Sequence, residues 1–265
     1  MKSAVVALVI ALCPGGGYAD DQAPGIVPLK QAHAHNDYRH ERPLLDALDQ
    51  GFCSVEADIF LVDGELLVAH EESELSKERS LKALYLDPLS ERVRKNGGRV
   101  YRDGPVMTLL LDFKKDGLVT YKVLDQLLGQ YPEVFSVTRD GERIEKAVNV
   151  VISGDRPFEA VAADKERFAG LDGRLTDLDR DLPVHLMPMI SDRWGSHFQW
   201  RGKGEMTLEE KEKLGAIVKQ AHAKGRILRF WAIPDHPTSW KVMRDAGVDL
   251  INTDDLAGLS KVLRE

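Results

Sequence analysis

Eight short apolar segments, separated by stretches of helical periodicity, limit what this chain can fold into more than any other feature. They fall at residues 27–33, 54–62, 106–114, 147–153, 168–171, 186–191, 226–233 and 248–253. Between them, residues 43–51, 121–129, 208–224 and 239–246 place apolar side chains at helical spacing. Strands that alternate with helices build parallel sheets, because a parallel partner is reached only through a crossover. Eight such units favour a closed TIM-type (β/α)8 barrel over the alternative, a doubly wound α/β sheet. Asp63-Gly64 reads as a hairpin turn returning the chain through residues 65–70. Residues 71–103 are long and charged, and are expected to form an insertion after the second strand, over the barrel mouth.

The first 19 residues read as a signal peptide rather than as part of the fold. Lys2 precedes an apolar run from Ala4 to Cys13, and the small residues Gly17 and Ala19 suit cleavage after Ala19. A bilayer span needs about 20 apolar residues, so this run is too short for one. Lipidation at Cys13 is the alternative, with Leu12 standing where a small residue is expected. Residues 20–265 would then form one exported barrel domain, periplasmic or secreted, near the usual size of about 250 residues. The chain carries a net charge of −7 and no long basic cluster, so nucleic acid is not an expected partner. Loss of Cys13 leaves Cys53 alone, a buried thiol rather than half of a disulfide.

Candidate chemistry gathers at strand ends, where a barrel of this kind carries its site. Glu56 and Asp58 are two apart on a strand and so share a face. In a closed barrel Val55, Ala57 and Ile59 pack outward against helices, leaving both carboxylates inside; on an edge strand they would face solvent. Paired inside, they need a bound cation or basic partners. Asp112 and Lys114 repeat the spacing on the third strand, adding a third carboxylate and a positive charge. Three carboxylates suit Mg²⁺ or Ca²⁺ better than zinc. His35, after the first strand, and His70, closing the hairpin, are two imidazoles titrating near working pH, as acid–base catalysis requires. Arg229 and Trp231 share a side of the seventh strand, where Arg229 could grip an anion and Trp231 could wall the substrate. The competing assignment makes Trp231 core and pairs Arg229 with a carboxylate. The run from Trp194 to Trp200, with Phe198 between, is expected to form a lip over the pocket, to make a transient membrane contact by touching lipid, or to be ordinary loop packing.

His35, Gly51, Glu56-x-Asp58, Asp63-Gly64 and His70 together resemble the opening of the glycerophosphodiester phosphodiesterase superfamily, which includes phosphatidylinositol-specific phospholipase C barrels and sphingomyelinase D-like enzymes. Within it, His35-Asn-Asp-Tyr38, Ser54-Val-Glu-Ala-Asp58 and Val248-Asp-Leu-Ile-Asn-Thr-Asp254 look closest to the branch of fungal altered inheritance of mitochondria proteins. The resemblance implies a TIM-type barrel, a divalent cation on Glu56, Asp58 and Asp112, an acid–base pair of His35 and His70, and a phosphate contact from Lys114. It implies as substrate a small-molecule or lipid phosphodiester, with a cyclic phosphate where the leaving group has a neighbouring hydroxyl. One position departs: the diesterases carry arginine directly after the first histidine, whereas Asn36 stands here, as in the sphingomyelinase D-like enzymes. A neutral amide does not replace a bidentate cation; Arg39 or Arg229 is the candidate substitute. Two other readings are an amidohydrolase-type zinc site on His33-x-His35 and a non-catalytic barrel binding a phosphorylated headgroup. The first lacks histidines at later strand ends, and the second has no use for a proton-transfer pair.

Overall fold

The computed structural model describes residues 25–265, so the expected signal peptide lies outside the described residues. Eight parallel strands close into a barrel: β1 (Leu29–Ala34), β2 (Phe52–Val62), β3 (Met107–Phe113), β4 (Val148–Gly154), β5 (Ala169–Gly173), β6 (Met189–Arg193), β7 (Ile227–Trp231) and β8 (Leu250–Thr253). Each pairs with its neighbours, and β1 joins both β2 and β8 to close the ring. Helices on the outside complete a TIM-type barrel.

The two-residue alternation along each strand sorts side chains between two cores. Val55, Ala57, Ile59, Leu109, Leu111, Val150 and Ile152 point outward into the large core beneath the helices. Leu110, Val151, Met189 and Leu250, with Ile227 against them, form a separate apolar plug inside the barrel. The remaining inward positions are polar and buried, among them His33, Glu56, Asp58, Asp172, Ser191, Arg229 and Asn252. An eight-stranded barrel leaves just enough interior for side chains, so plug and polar layer share one narrow space.

Strand β2 outruns the barrel. Its last residues, from Ile59 to Val62, pair antiparallel with the return strand Glu65–Val68, which brings His70 back toward the opening. The charged stretch that follows borders the mouth only at its start, where Glu71, Glu72 and Ser73 line a groove beside His70. From Leu81 onward it runs down the barrel wall. Leu81, Tyr85, Leu86, Leu89 and Val93 are buried, and the Tyr101 hydroxyl donates to the carbonyls of Leu48 and Phe52 near the start of β2. The segment is therefore the crossover that β2 and β3 require, and the charges of helix Asp87–Lys95 lie on its outer side.

Other boundaries shift for local reasons. The helix expected at 43–51 spans only Leu45–Asp49, and that at 121–129 starts earlier, giving Gly117–Leu128. The helix expected at 239–246 begins at Pro237, whose fixed φ suits a first turn. Strand β6 starts at Met189 because the amides of Leu186 and Met187 bond back to the Pro183 carbonyl in a turn. A small antiparallel sheet at residues 137–139, 142–144 and 166–167 and a last helix, Leu256–Arg264, had no counterpart in the sequence reading. Trp194 stacks on Phe198 at 3.9 Å and meets Phe230 edge-on at 5.4 Å, so this cluster is core and not a lip. Cys53 is buried, and burial pushes its thiol up to about 12.

The plug is small, so each member matters. Leu110→Ala should cost about 2–5 kcal/mol in denaturant unfolding. Leu208→Ala, at a position 71% exposed, should change stability by no more than about 0.5 kcal/mol.

Candidate active site

The C-terminal ends of the strands surround a cavity of about 250 Å³. His35 and Asn36 follow β1; Glu56 and Asp58 stand on β2; His70 arrives from the hairpin. Asp112 and Lys114 close β3, and Arg229 and Trp231 come from β7. These nine expected site residues thus meet in one place, whereas Arg39 lies outside the cavity lining, 3.8 Å from Glu74. Ser153 and Arg174 also line the cavity and were missed. Ser153 sits level with Asp112 on the neighbouring strand, and Asp172-Gly-Arg174 repeats the pattern of charged residues closing an apolar run. That pattern was the signal that found Asp112 and Lys114.

Glu56 is held from below. Its Oε2 accepts from Arg229 Nη2 and lies 3.1 Å from His33 Nε2, while Arg229 Nε donates to Asn252 Oδ1 at 2.7 Å. Burial would raise the Glu56 carboxyl, but the guanidinium of Arg229 and the contact with His33 outweigh it, bringing it down to about 2. Arg229 is 2% exposed and lines the cavity, and its Nε and Nη2 orient Asn252 and Glu56. His33 is pushed down to about 4 by burial and by the charge of Arg229. Its second nitrogen, Nδ1, lies 2.7 Å from Ser54 Oγ, so neither ring nitrogen is left for zinc. His185, His197, His222 and His236 do not line the cavity.

Asp58 is the second centre. Its Oδ2 accepts from Tyr38 Oη at 2.9 Å and Lys114 Nζ at 3.1 Å, and meets His70 Nδ1 at 2.8 Å. Its Oδ1 is buried with no hydrogen-bond partner. Asp112 lies beside it, and Lys114 Nζ bridges the two at 3.1 and 3.5 Å. Burial, then the charges of Asp58 and Glu56, raise the Asp112 carboxyl to about 6. Among the described residues no three carboxylate, imidazole or thiol groups are drawn together around one point. The donor set nevertheless fits a hard divalent cation. An orphaned buried carboxylate oxygen and a neighbouring carboxyl that resists ionisation both record negative charge in excess of its local partners.

His35 has its own carboxylate. Nδ1 lies 2.9 Å from Asp254 Oδ1, leaving Nε2 as the remaining ring nitrogen. Burial opposes its protonation, but the bond to Asp254 and the charge of Glu56 prevail and its pKa is raised. Asn36 has φ +45°, in the left-handed region that asparagine tolerates better than most residues. Its Oδ1 lies 3.0 Å from Tyr38 Oη. The turn is clamped by the buried Asp37 carboxylate, which accepts from Leu44 N at 2.5 Å and Tyr85 Oη at 2.9 Å. The amide at 36 is thus tied into the web around Asp58. The expected substrate contacts Asn36, Lys114, Arg229 and Trp231 all line the cavity, Lys114 with its ammonium between Asp58 and Asp112.

Comparison with known proteins agrees with this geometry. Residues 20–171 match the AIM6-like phosphodiesterase domain, and residues 228–257 match the glycerophosphoryl diester phosphodiesterase family. Altered inheritance of mitochondria protein 6 of Eremothecium gossypii is 31% identical, over 88% of this chain and 69% of that protein. Its homolog in Arthroderma benhamiae is 28% identical, over 90% and 85%. Among solved structures, the calcium-dependent phosphoinositol-specific phospholipase C of a Pseudomonas species superposes with a TM-score of 0.59, at 15% identity, over 89% of this chain and 93% of that one. The glycerophosphodiester phosphodiesterase of Agrobacterium tumefaciens gives 0.55, at 14% identity, over 89% and 100%. The last two show a shared barrel, and the sequence matches go further: the chain belongs to the AIM6-like phosphodiesterase domain family.

Proposed function

We propose that this protein is an exported hydrolase of small-molecule or lipid phosphodiesters, with His35 and His70 as its acid–base pair. The observation that carries the reading is two imidazoles on one cavity, each set by its own carboxylate, Asp254 for His35 and Asp58 for His70. His35 is the base: Asp254 holds the proton on Nδ1, leaves Nε2 to take one from the attacking hydroxyl, and stabilises the imidazolium that forms. His70 is the acid, delivering its proton to the departing alcohol. Lys114 turns its ammonium toward a phosphoryl oxygen, and Trp231 walls the alcohol portion. Glu56, Asp58 and Asp112 would hold Mg²⁺ or Ca²⁺, which when bound neutralises charge on the phosphoryl oxygens. Arg229 and His33 keep Glu56 ionised and fixed in direction. The attacking hydroxyl belongs to water, or to the substrate where a neighbouring group gives a cyclic product.

The protein should cleave an aryl phosphodiester, lose that activity to chelator and regain it with Mg²⁺ or Ca²⁺. Activity unaffected by exhaustive chelation would remove the cation from the proposal. His35→Ala and His70→Ala should each lower kcat by about 10²-fold or more; unchanged turnover in both would sink the mechanism. Tight headgroup binding with no turnover of any diester would instead favour a binding barrel. As a base, His35 must lose its proton, so kcat/KM should rise with pH through its raised pKa. Asp254→Asn removes the bond that raises it, so the rise should move to lower pH while the plateau falls. N-terminal sequencing of exported material should begin at Asp20.

A further inference from the structure

Arg174 has no part in the chemistry above, yet it lines the cavity. It follows β5, four strands from β1 around a ring of eight, and so faces the wall that carries His35. Beneath it lies Asp172, a fully buried carboxylate on β5. Asp172 Oδ2 accepts from Ser153 Oγ at 2.8 Å, Ser191 Oγ at 2.5 Å and Arg174 Nη1 at 2.8 Å. Oδ1 is buried with no hydrogen-bond partner, so the negative charge of Asp172 is met by Arg174 and the two serine hydroxyls through Oδ2 alone. Arg156 donates to the backbone carbonyl of the same residue, and its own pKa is lowered by burial and by the neighbouring charge of Arg174. A carboxylate is buried here to hold one guanidinium still.

The rest of that guanidinium is unspent. Nη1 also reaches the Gly173 carbonyl at 3.0 Å, but among the described residues Nε and Nη2 have no hydrogen-bond partner, and the side chain is 28% exposed. Those two donors form a fork of the kind that grips carboxylate or phosphate. Nearby acids are engaged elsewhere: Asp177 caps the Arg174 backbone amide and meets Arg180, and Asp192 meets Leu175 N and His197. Outside the cavity lining, Arg193 lies over the Trp231 ring, 5.8 Å from its centre. The reaction wall is therefore rich in carboxylates, and across from it Arg174 presents two unspent donors to the cavity, in a chain whose net charge is −7.

We infer that Arg174 anchors a second anionic group, carboxylate or phosphate, on the alcohol portion of the substrate, so that the preferred phosphodiester carries a further negative charge across the cavity from His35. This rests on the phosphodiesterase reading above, and it gives Arg174 the role of a specificity-determining residue. The test is calorimetric binding of three product-like probes, with Mg²⁺ or Ca²⁺ present: sn-glycerol 3-phosphate, 3-phosphoglycerate and glycerol 1,3-bisphosphate. The first has one anionic group; the others add a carboxylate or a phosphate. Wild-type protein should bind at least one of the doubly anionic probes about tenfold or more tightly than glycerol phosphate, and the tighter of the two identifies the anion. Arg174→Gln should bring that ratio close to one. Arg174→Lys, which keeps the charge and loses the fork, should retain part of it, guarding against a folding defect in the glutamine variant. A ratio near one in wild type, a ratio that survives in Arg174→Gln, or no binding of any probe overturns the inference. Arg174-dependent discrimination in a protein that cleaves no diester would overturn the hydrolase mechanism alone and leave the anion subsite standing.

Discussion

Three carboxylates crowd one end of a closed barrel, and the rest of the interior is arranged around their repulsion. Unit charges 4 Å apart interact by about 4 kcal/mol at an effective dielectric near 20, and unpaired burial adds several kcal/mol for each group. A domain stable by about 5–15 kcal/mol cannot leave that uncompensated. Glu56 is met by Arg229 and by His33, Asp58 by Tyr38, Lys114 and His70, and Asp112 only partly by Lys114. The compensation is graded. Glu56 is held far below the usual carboxylate range, while Asp112 is pushed up to about 6. The residual excess of negative charge therefore sits at Asp58 Oδ1 and Asp112, on one side of the cavity.

The barrel was legible because alternation and length each admit few solutions, and Glu56-x-Asp58 was legible because a closed barrel decides which face is inside. Local partnerships were not legible. Arg229 could be placed at the cavity from its spacing to Trp231, but only the fold brings it onto Glu56, 173 residues earlier in the sequence. Asp254 beside His35 is the same case, at a sequence separation of 219. Asn36, a departure when set against arginine-bearing relatives, has a local explanation: its backbone is left-handed and its amide belongs to the web around Tyr38. The charged stretch after the hairpin misled because net polarity says nothing about direction. A chain leaving the top of β2 must return to the bottom of β3, and Tyr85, Leu89 and Tyr101 are what it buries on the way.

The two walls of the cavity differ in how their charges are fixed. On the carboxylate side, cations are brought in to hold acids. On the β5 side a buried acid, Asp172, with two serine hydroxyls holds a cation. A buried charge pair is weak ground for stability, since desolvation consumes much of the attraction. Its plainer physical effect here is direction: long flexible side chains become fixed ones.

The hairpin that carries His70 has a consequence of a different kind. His35 rises from a strand bonded on both sides, whereas His70 sits at the end of a two-stranded extension outside the ring. Each residue of such a strand advances about 3.4 Å, so lengthening or shortening both arms by two residues would move the Asp63-Gly64 turn by about 7 Å, while Val68 stayed opposite Ile59 and His70 kept its place. The barrel beneath would be untouched. The hairpin can thus vary in reach without disturbing the imidazole, whose position is set by the pairing of Val68 with β2 and not by the length of the arms.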